Sequence, residues 1–336
     1  MNNLDTKHPA GAFEPLTPDT VLTAVEDSLG LRCTNLCRPL NSYINRVYEL
    51  QSEDGPGLIA KFYRPGRWSK DSLQDEHDFL LELAEAEIPV VGPLAMRGKE
   101  TLAEAMGIHF AVFPKKGGRS FDEFNDDQWP ELGRLLARAH LIGAKHAPRD
   151  RITLSPSKST QQNLDYIING NFIPPELVDS FTEQADQLIS LINPLFEQVE
   201  MIRIHGDCHF SNIMHRPEEP MYLIDLDDMA VGPPVHDFWM LLPGFLSDSL
   251  VEVDMFLEGY EVFRDFDRRT LRLIEPLRAM RFIHYITWCA HQVAEDGLSR
   301  VATDFGSQAY WQQEIRDLAE QIERIKKMPS HCGNMF

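Results

Sequence analysis

The chain of 336 residues carries 52 acidic against 32 basic side chains, a formal net charge of −20, which argues against nucleic acid or anionic lipid as partners. Its 43% hydrophobic content can fill a sizeable interior, and the length exceeds one small core, so two lobes are expected. Five scattered cysteines, no apolar run near the ~18 residues that span a membrane, and no apolar core in Met1 to Pro9 lead to the expectation of a cytoplasmic protein without a secretory signal.

Thr17-Pro18-Asp19 offers an N-cap followed by a first-turn proline, and Gly30 a stop, which predicts a helix between them. Asn41-Ser42-Tyr43-Ile44-Asn45 reads as a polar turn entering a strand that runs to Leu50. Leu58 to Phe62 reads as the next strand, after Gly55-Pro56-Gly57. A loop covering nucleotide phosphates is usually rich in glycine, so that backbone N–H groups come close. None stands here; the side chains of Asn41, Ser42 and Asn45 could substitute, the alternative being an ordinary hairpin turn.

Lys61 interrupts an apolar strand, where an unpaired ammonium is costly. The helix predicted from Ser69 to Ala86 places Leu73, Glu76, Leu80 and Leu83 on one stripe, so Glu76 falls on the buried face. An ion pair explains both placements together and is favoured over a lysine that reaches solvent; Lys61 would then extend towards nucleotide phosphates. Thr101 to Ala105 and Ile108 to Phe113 complete a small antiparallel sheet of four or five strands. Phe113-Pro114-Lys115-Lys116-Gly117-Gly118 is read as the hinge, which divides the chain into 1–114 and a mainly helical 115–336.

Trp129 to Ala144 has helical spacing, with His140 as a core histidine, and Arg149 to Ser159 is a polar connection. Gln161 to Ile168 and Pro175 to Phe196 supply further helices before His205-Gly206-Asp207-Cys208-His209-Phe210-Ser211-Asn212. Asp207 and Asn212 stand five apart, the spacing at which a kinase catalytic loop carries a proton-accepting carboxylate and a metal-holding amide. Pro217-Glu218-Glu219-Pro220 separates two apolar runs and predicts a hairpin; pairing Arg216 with Met221 sets Asn212 opposite Asp225, as a shared magnesium ion would require. Asp225, Asp227 and Asp228 crowd like charges together, which a cation or solvent must relieve. Solvated surface would explain any one of them, but not an apolar strand, Met221 to Ile224, that delivers Asp225 directly from the core. Alternating His205, Asp207 and His209 could instead bind zinc, although no fourth ligand stands at coordinating spacing.

Asp237, in the helix predicted from Val235 to Leu242, either anchors the catalytic loop or complements the helix dipole. Only twelve positions separate it from Asp225, too few for a long activation segment. A helix from Leu271 to Val293 carries Arg278, Arg281 and His284, which either line an acceptor cleft or neutralise acidic surface. Gly306 to Lys327 reads as the last helix and Met328 to Phe336 as a tail.

Taken together, Leu40-Asn41-Ser42-Tyr43, Lys61-Phe62-Tyr63-Arg64-Pro65, the His205 to His209 motif, Asp225 to Asp228 and Glu275 to Arg281 make the chain resemble the stress response kinase A family. These are bacterial Ser/Thr protein kinases with the bilobal α+β fold of the aminoglycoside phosphotransferase and choline kinase group. The resemblance implies that Ser42 touches ATP, that Asp207 is the catalytic base with Asp225 as its catalytic companion, and that Asn212 and Asp225 bind magnesium. Lys61 and Glu76 belong to the nucleotide side. The expected activity is ATP- and magnesium-dependent transfer to Ser/Thr hydroxyls by a monomer that is itself a phosphoprotein. A kinase of small alcohols of the aminoglycoside, choline or homoserine kind is the runner-up, and a nucleotide-binding regulator without turnover a third reading.

Overall fold

A computed structural model describes residues 11–327; both the Met1 to Pro9 stretch and the tail Met328 to Phe336 lie outside the described residues. In chain order the elements are α1 (Pro18–Leu29), β1 (Cys33–Leu40), β2 (Arg46–Ser52), β3 (Gly57–Phe62), α2 (Lys70–Glu85), β4 (Ala103–Ala105), β5 (Ile108–Pro114) and β6 (Arg119–Ser120). There follow α3 (Gln128–Gly143), α4 (Gln161–Asn169), α5 (Val178–Ile192), β7 (Ile202–Ile204), β8 (Ile213–His215), β9 (Tyr222–Leu223) and β10 (Ala230–Gly232). The chain continues through α6 (His236–Trp239), α7 (Leu250–Tyr260), α8 (Ile274–Asp296) and α9 (Gln308–Lys327).

Two compact units result. One takes the chain through Glu123 together with Pro148–Arg151 and Phe210–Met229; the other takes Phe124–Ala147, Ile152–His209 and the chain from Ala230 onward. This differs from the single division at 114/115, because β6 pairs with β8 and brings a later hairpin into the first unit.

In the first unit, α1 begins as its capping residues dictate. The Thr17 hydroxyl accepts from the Thr20 N–H, and Gly30 ends the helix at φ +73°. Among the described residues, five antiparallel strands form a sheet in the order β1-β2-β3-β5-β4. Leu58, Ala60 and Phe62 pack with Val21 and Val25 of α1 in one core cluster. Because side chains alternate along a strand, Lys61 belongs to the other face, where Tyr63, Leu73 of α2, Leu102 and Ala111 form a second cluster. Strand β1 was not expected: it is a polar edge strand with an irregular register between Cys33 and Cys37, and an edge tolerates its Pro39.

The second small sheet runs β6-β8-β9. Its hairpin pairs Ile213 with Leu223 and Met214 with Tyr222, one residue away from the expected register. Pro220 has no N–H to give to the ladder, and the turn closes through the Glu219 N–H on the Arg216 carbonyl, with Glu218 at φ +65°. Asn212 consequently faces Ile224, whose N–H donates to its carbonyl at 3.0 Å, and Asp225 stands one residue further on.

In the second unit, β7 and β10 pair antiparallel, and α8 packs on α4 and α9. Helices α3 and α7 cross where glycines remove the side chains: a Cβ at Gly133 would run into the Phe256 carbonyl, and one at Gly259 into that of Pro130. Gly133→Ala is therefore expected to destabilise the fold by about 3 kcal/mol through overpacking, read as a lower urea midpoint.

Candidate active site

The first unit gathers charge around Lys61. Its Nζ lies 2.8 Å from Asp225 Oδ1, 3.3 Å from Asp227 Oδ1 and 3.6 Å from Glu76 Oε1, so the pair expected between strand and helix is in place. Burial opposes the ammonium, but the three carboxylates outweigh it and push its pKa well up. Glu76 Oε2 in turn lies 3.2 Å from Arg151. The Arg151 guanidinium also donates to the carbonyls of Ser72 (2.8 Å) and Asp227 (2.6 Å) and stacks on Trp68. Burial pushes the Glu76 carboxyl up to about 7 against the pull of both cations.

Asp227 is a structural anchor. Arg67 donates to its Oδ2 and, at 2.6 Å, to Asp228 Oδ1, while Asn45 Nδ2 donates to Asp227 Oδ2 at 3.3 Å. Despite burial, Lys61 and Arg67 hold the Asp227 carboxyl well below the usual range. These cations relieve the crowding of Asp227 and Asp228. Asn45 is used up structurally, since its Oδ1 accepts the Arg64 N–H at 3.0 Å, which takes it out of any phosphate-covering role. Ser42 sits partly exposed in the turn before β2.

Asp225 differs from its neighbours. It holds φ +57°, and its side chain is 53% exposed in a cluster that is otherwise buried. It follows directly on Ile224, the hydrogen-bond partner of Asn212. A carboxylate and an amide oxygen, with neither thiol nor imidazole, are the donor chemistry of a hard divalent cation, so this pair fits magnesium.

The second unit holds Asp207. Asp237 Oδ2 accepts the His205 N–H at 2.7 Å and Oδ1 the Gly206 N–H at 2.9 Å, which makes Asp237 an anchor of the loop. His140 Nε2 lies 3.1 Å from Asp237 and its Nδ1 2.9 Å from the Tyr260 hydroxyl, so this core histidine braces the anchor. On the opposite side His236 Nε2 donates to the Gly206 carbonyl at 3.1 Å. Gly206 takes φ +83°, a turn that a side chain would strain, and Asp207 follows it.

One oxygen of Asp207 accepts from Arg281 at 2.7 Å and the other lies 3.3 Å from His209 Nε2. Burial raises its pKa, but His209 and Arg281 more than offset this and hold the carboxyl well below its ordinary value. His205 Nδ1 accepts the Asp207 N–H at 3.3 Å. The alternating His205, Asp207 and His209 therefore do not assemble as a ligand set, and no such cluster of three His, Cys, Asp or Glu gathers among the described residues. Arg278 is structural: it donates to Glu275 and to the Gly244 carbonyl and lies over Trp239 and Phe245.

Sequence reasoning missed Arg67 and Arg151. Arg67 carried a faint signal as a cation close after the Lys61 strand; Arg151, in a polar connection without periodicity, carried none.

A family model described as "Phosphotransferase enzyme family" matches residues 36–274. The chain is 37% identical over 328 residues to stress response kinase A of Escherichia coli (strain K12), covering 97% of this chain and 99% of the relative. It is 35% identical, with the same coverage, to serine/threonine protein kinase RdoA of Salmonella typhimurium. Among solved structures it is similar to amicoumacin kinase hAmiN in complex with AMP-PNP, Ca2+ and Ami. The TM-score is 0.72 at 18% identity, over 94% of this chain and 96% of that one.

Proposed function

The chain belongs to the phosphotransferase enzyme family and, within it, to the stress response kinase A group, and from that premise we propose that it transfers the γ-phosphate of ATP, with magnesium, to Ser/Thr hydroxyls of proteins in a bacterial stress response. The observation that carries this reading is the half-exposed Asp225 carboxylate, 2.8 Å from a lysine otherwise surrounded by buried acid. A purely structural cluster would bury that carboxylate with the rest.

Asn212 and Asp225 would hold the metal ion, which when bound supplies neutralisation of charge on the phosphates. Lys61, kept in place by Glu76, donates to phosphate oxygens, and Ser42 touches the nucleotide. Asp207 takes the proton as the acceptor O–H bond breaks and the new P–O bond forms. The bond from the γ-phosphorus to the bridging oxygen breaks, ADP leaves with that electron pair, and the proton passes to solvent. Since the transition state is loose, positioning and charge neutralisation are the main contributions of the protein.

Lys61→Met is expected to lower kcat/KM for ATP by about 10²–10³-fold, measured with labelled nucleotide. The fold should survive, because Arg151 remains on Glu76 and Arg67 on Asp227. We further take the protein to be a cytoplasmic monomer; no helix among the described residues is long and apolar enough to cross a membrane.

Transfer of label from ATP to Ser/Thr in proteins or peptides, screened beside small alcohols, tests the acceptor class. Transfer to a metabolite alone would reject the protein acceptor and leave the second reading, a kinase of small hydroxylated molecules. That reading is favoured by the twelve-residue interval between Asp225 and Asp237, which leaves no room for a long peptide-binding activation segment.

A further inference from the structure

We propose that Arg281 is a positioning residue for the transfer reaction: from α8 it clamps one oxygen of Asp207 while His209 holds the other, so that the base meets the acceptor hydroxyl in a single orientation. This rests on the reading of Asp207 as the proton acceptor.

Both ends of the clamp are fixed independently. On the Arg281 side, Glu275 in the first turn of α8 is buried, accepts the Leu246 N–H at 3.1 Å and the Gln321 amide at 2.8 Å, and pairs with Arg278 at 3.1 Å. Arg278 continues to the Gly244 carbonyl at 2.9 Å. These bonds prevent α8 from sliding or rotating, and Arg281, one turn further on, arrives already aimed. On the other side, the two backbone N–H groups held by Asp237 fix the loop that carries Asp207. A flexible surface pair would contribute little. Here neither side chain has to search for the other, so the ordering cost that weakens surface pairs is largely met beforehand.

Groups that act on Asp207 include His205 and His209 from its own loop, Arg281 from α8, and His236 from α6. Among them the guanidinium is the one permanent cation. Its charge lowers the basicity of Asp207, which a slow, early proton transfer could not tolerate. A loose phosphoryl transition state takes the proton late and needs a well-placed acceptor more than a strong one. Arg281 thus exchanges base strength for orientation. The residue lies beyond the 36–274 region matched by the family model.

The test compares the full-length protein with Arg281→Gln and Arg281→Lys. Phosphate transfer to acceptor and to water is followed across pH, and the Asp207 carboxyl is titrated by carbon NMR, assigned with Asp207→Asn. Arg281→Gln should lower kcat by about 10–100-fold while KM for ATP changes less than about twofold. The acid limb of kcat and the Asp207 titration should both move up by about one pH unit. Arg281→Lys, which keeps the charge without the planar fork, should recover part of kcat and hold the titration near the wild-type position.

An Asp207 titration unmoved in Arg281→Gln, or a loss appearing mainly in KM for ATP, overturns the clamp. If Arg281→Gln does not fold, an Arg281→Lys protein with full kcat overturns the orientation role and a partial kcat supports it. If the wild type transfers no phosphate at all while the titration still shifts in Arg281→Gln, the proposed function falls and takes the positioning role with it, although the pairing of Arg281 with Asp207 stands.

Discussion

Asp207→Asn is expected to reduce phosphate transfer by about 10²–10⁴-fold while leaving ATP affinity unchanged. The amide keeps the shape of the side chain but has no basic oxygen for the acceptor proton, and Asp207 belongs to the second unit, whereas the Lys61 cluster belongs to the first. Labelled transfer and calorimetric nucleotide binding, measured on the same protein, check both halves. Retained binding with lost transfer also excludes a regulator that only binds nucleotide. A stability effect accompanies the kinetic one. His209 and Arg281 hold the Asp207 carboxyl below its unfolded value, so its ionised form contributes stability above the ordinary carboxylate pKa that is lost as pH falls through and below it. The wild type should accordingly lose stability more steeply than Asp207→Asn between neutral pH and about pH 3, in urea titrations at stepped pH.

Glu76→Ala should destabilise the protein by about 3–5 kcal/mol. The side chain is 1% exposed and sits between Lys61 at 3.6 Å and Arg151 at 3.2 Å, so its removal leaves two buried cations without their shared acceptor. Burial already pushes this carboxyl towards about 7, which makes the neutral form accessible. Glu76→Gln should for that reason cost markedly less than Glu76→Ala, and equal urea midpoints for the two variants would contradict the account. Both should weaken transfer, because a Lys61 released from Glu76 is drawn further onto Asp225 and Asp227.

Where a residue broke a local rule, the sequence revealed its place. A lysine in an apolar strand and a glutamate on an apolar helical stripe each needed a partner, and together they identified one another. Capping chemistry defined α1 residue for residue, from Thr17 to Gly30. The spacing of the His205 to Asn212 motif marks a candidate catalytic segment, and of the two roles open to Asp237 the structure shows the anchor of that loop. The hairpin register was harder. A shift of one residue depends on how Glu218 and Pro220 shape the turn, and the apolar pattern of two short runs does not resolve it. Arg67 and Arg151 neutralise Asp227, Asp228 and Glu76 from 75 to 161 positions away along the chain, where neither period nor propensity reaches. The spacing of Arg281 places it on one face of its helix, but its contact with Asp207 depends on how α8 packs.

The division of the chain has a practical consequence for anyone wishing to dissect it. The first unit is closed by Phe210–Met229, the segment that bears Asn212 and Asp225, so a fragment ending at Glu123 would lack both of these proposed metal ligands. Any contiguous piece that contains the complete unit must extend to Met229 and therefore includes α3, α4 and α5 as well. Swapping one half between relatives as a cassette would sever this return segment, and on the ribosome the first unit stays incomplete until two-thirds of the protein has been made.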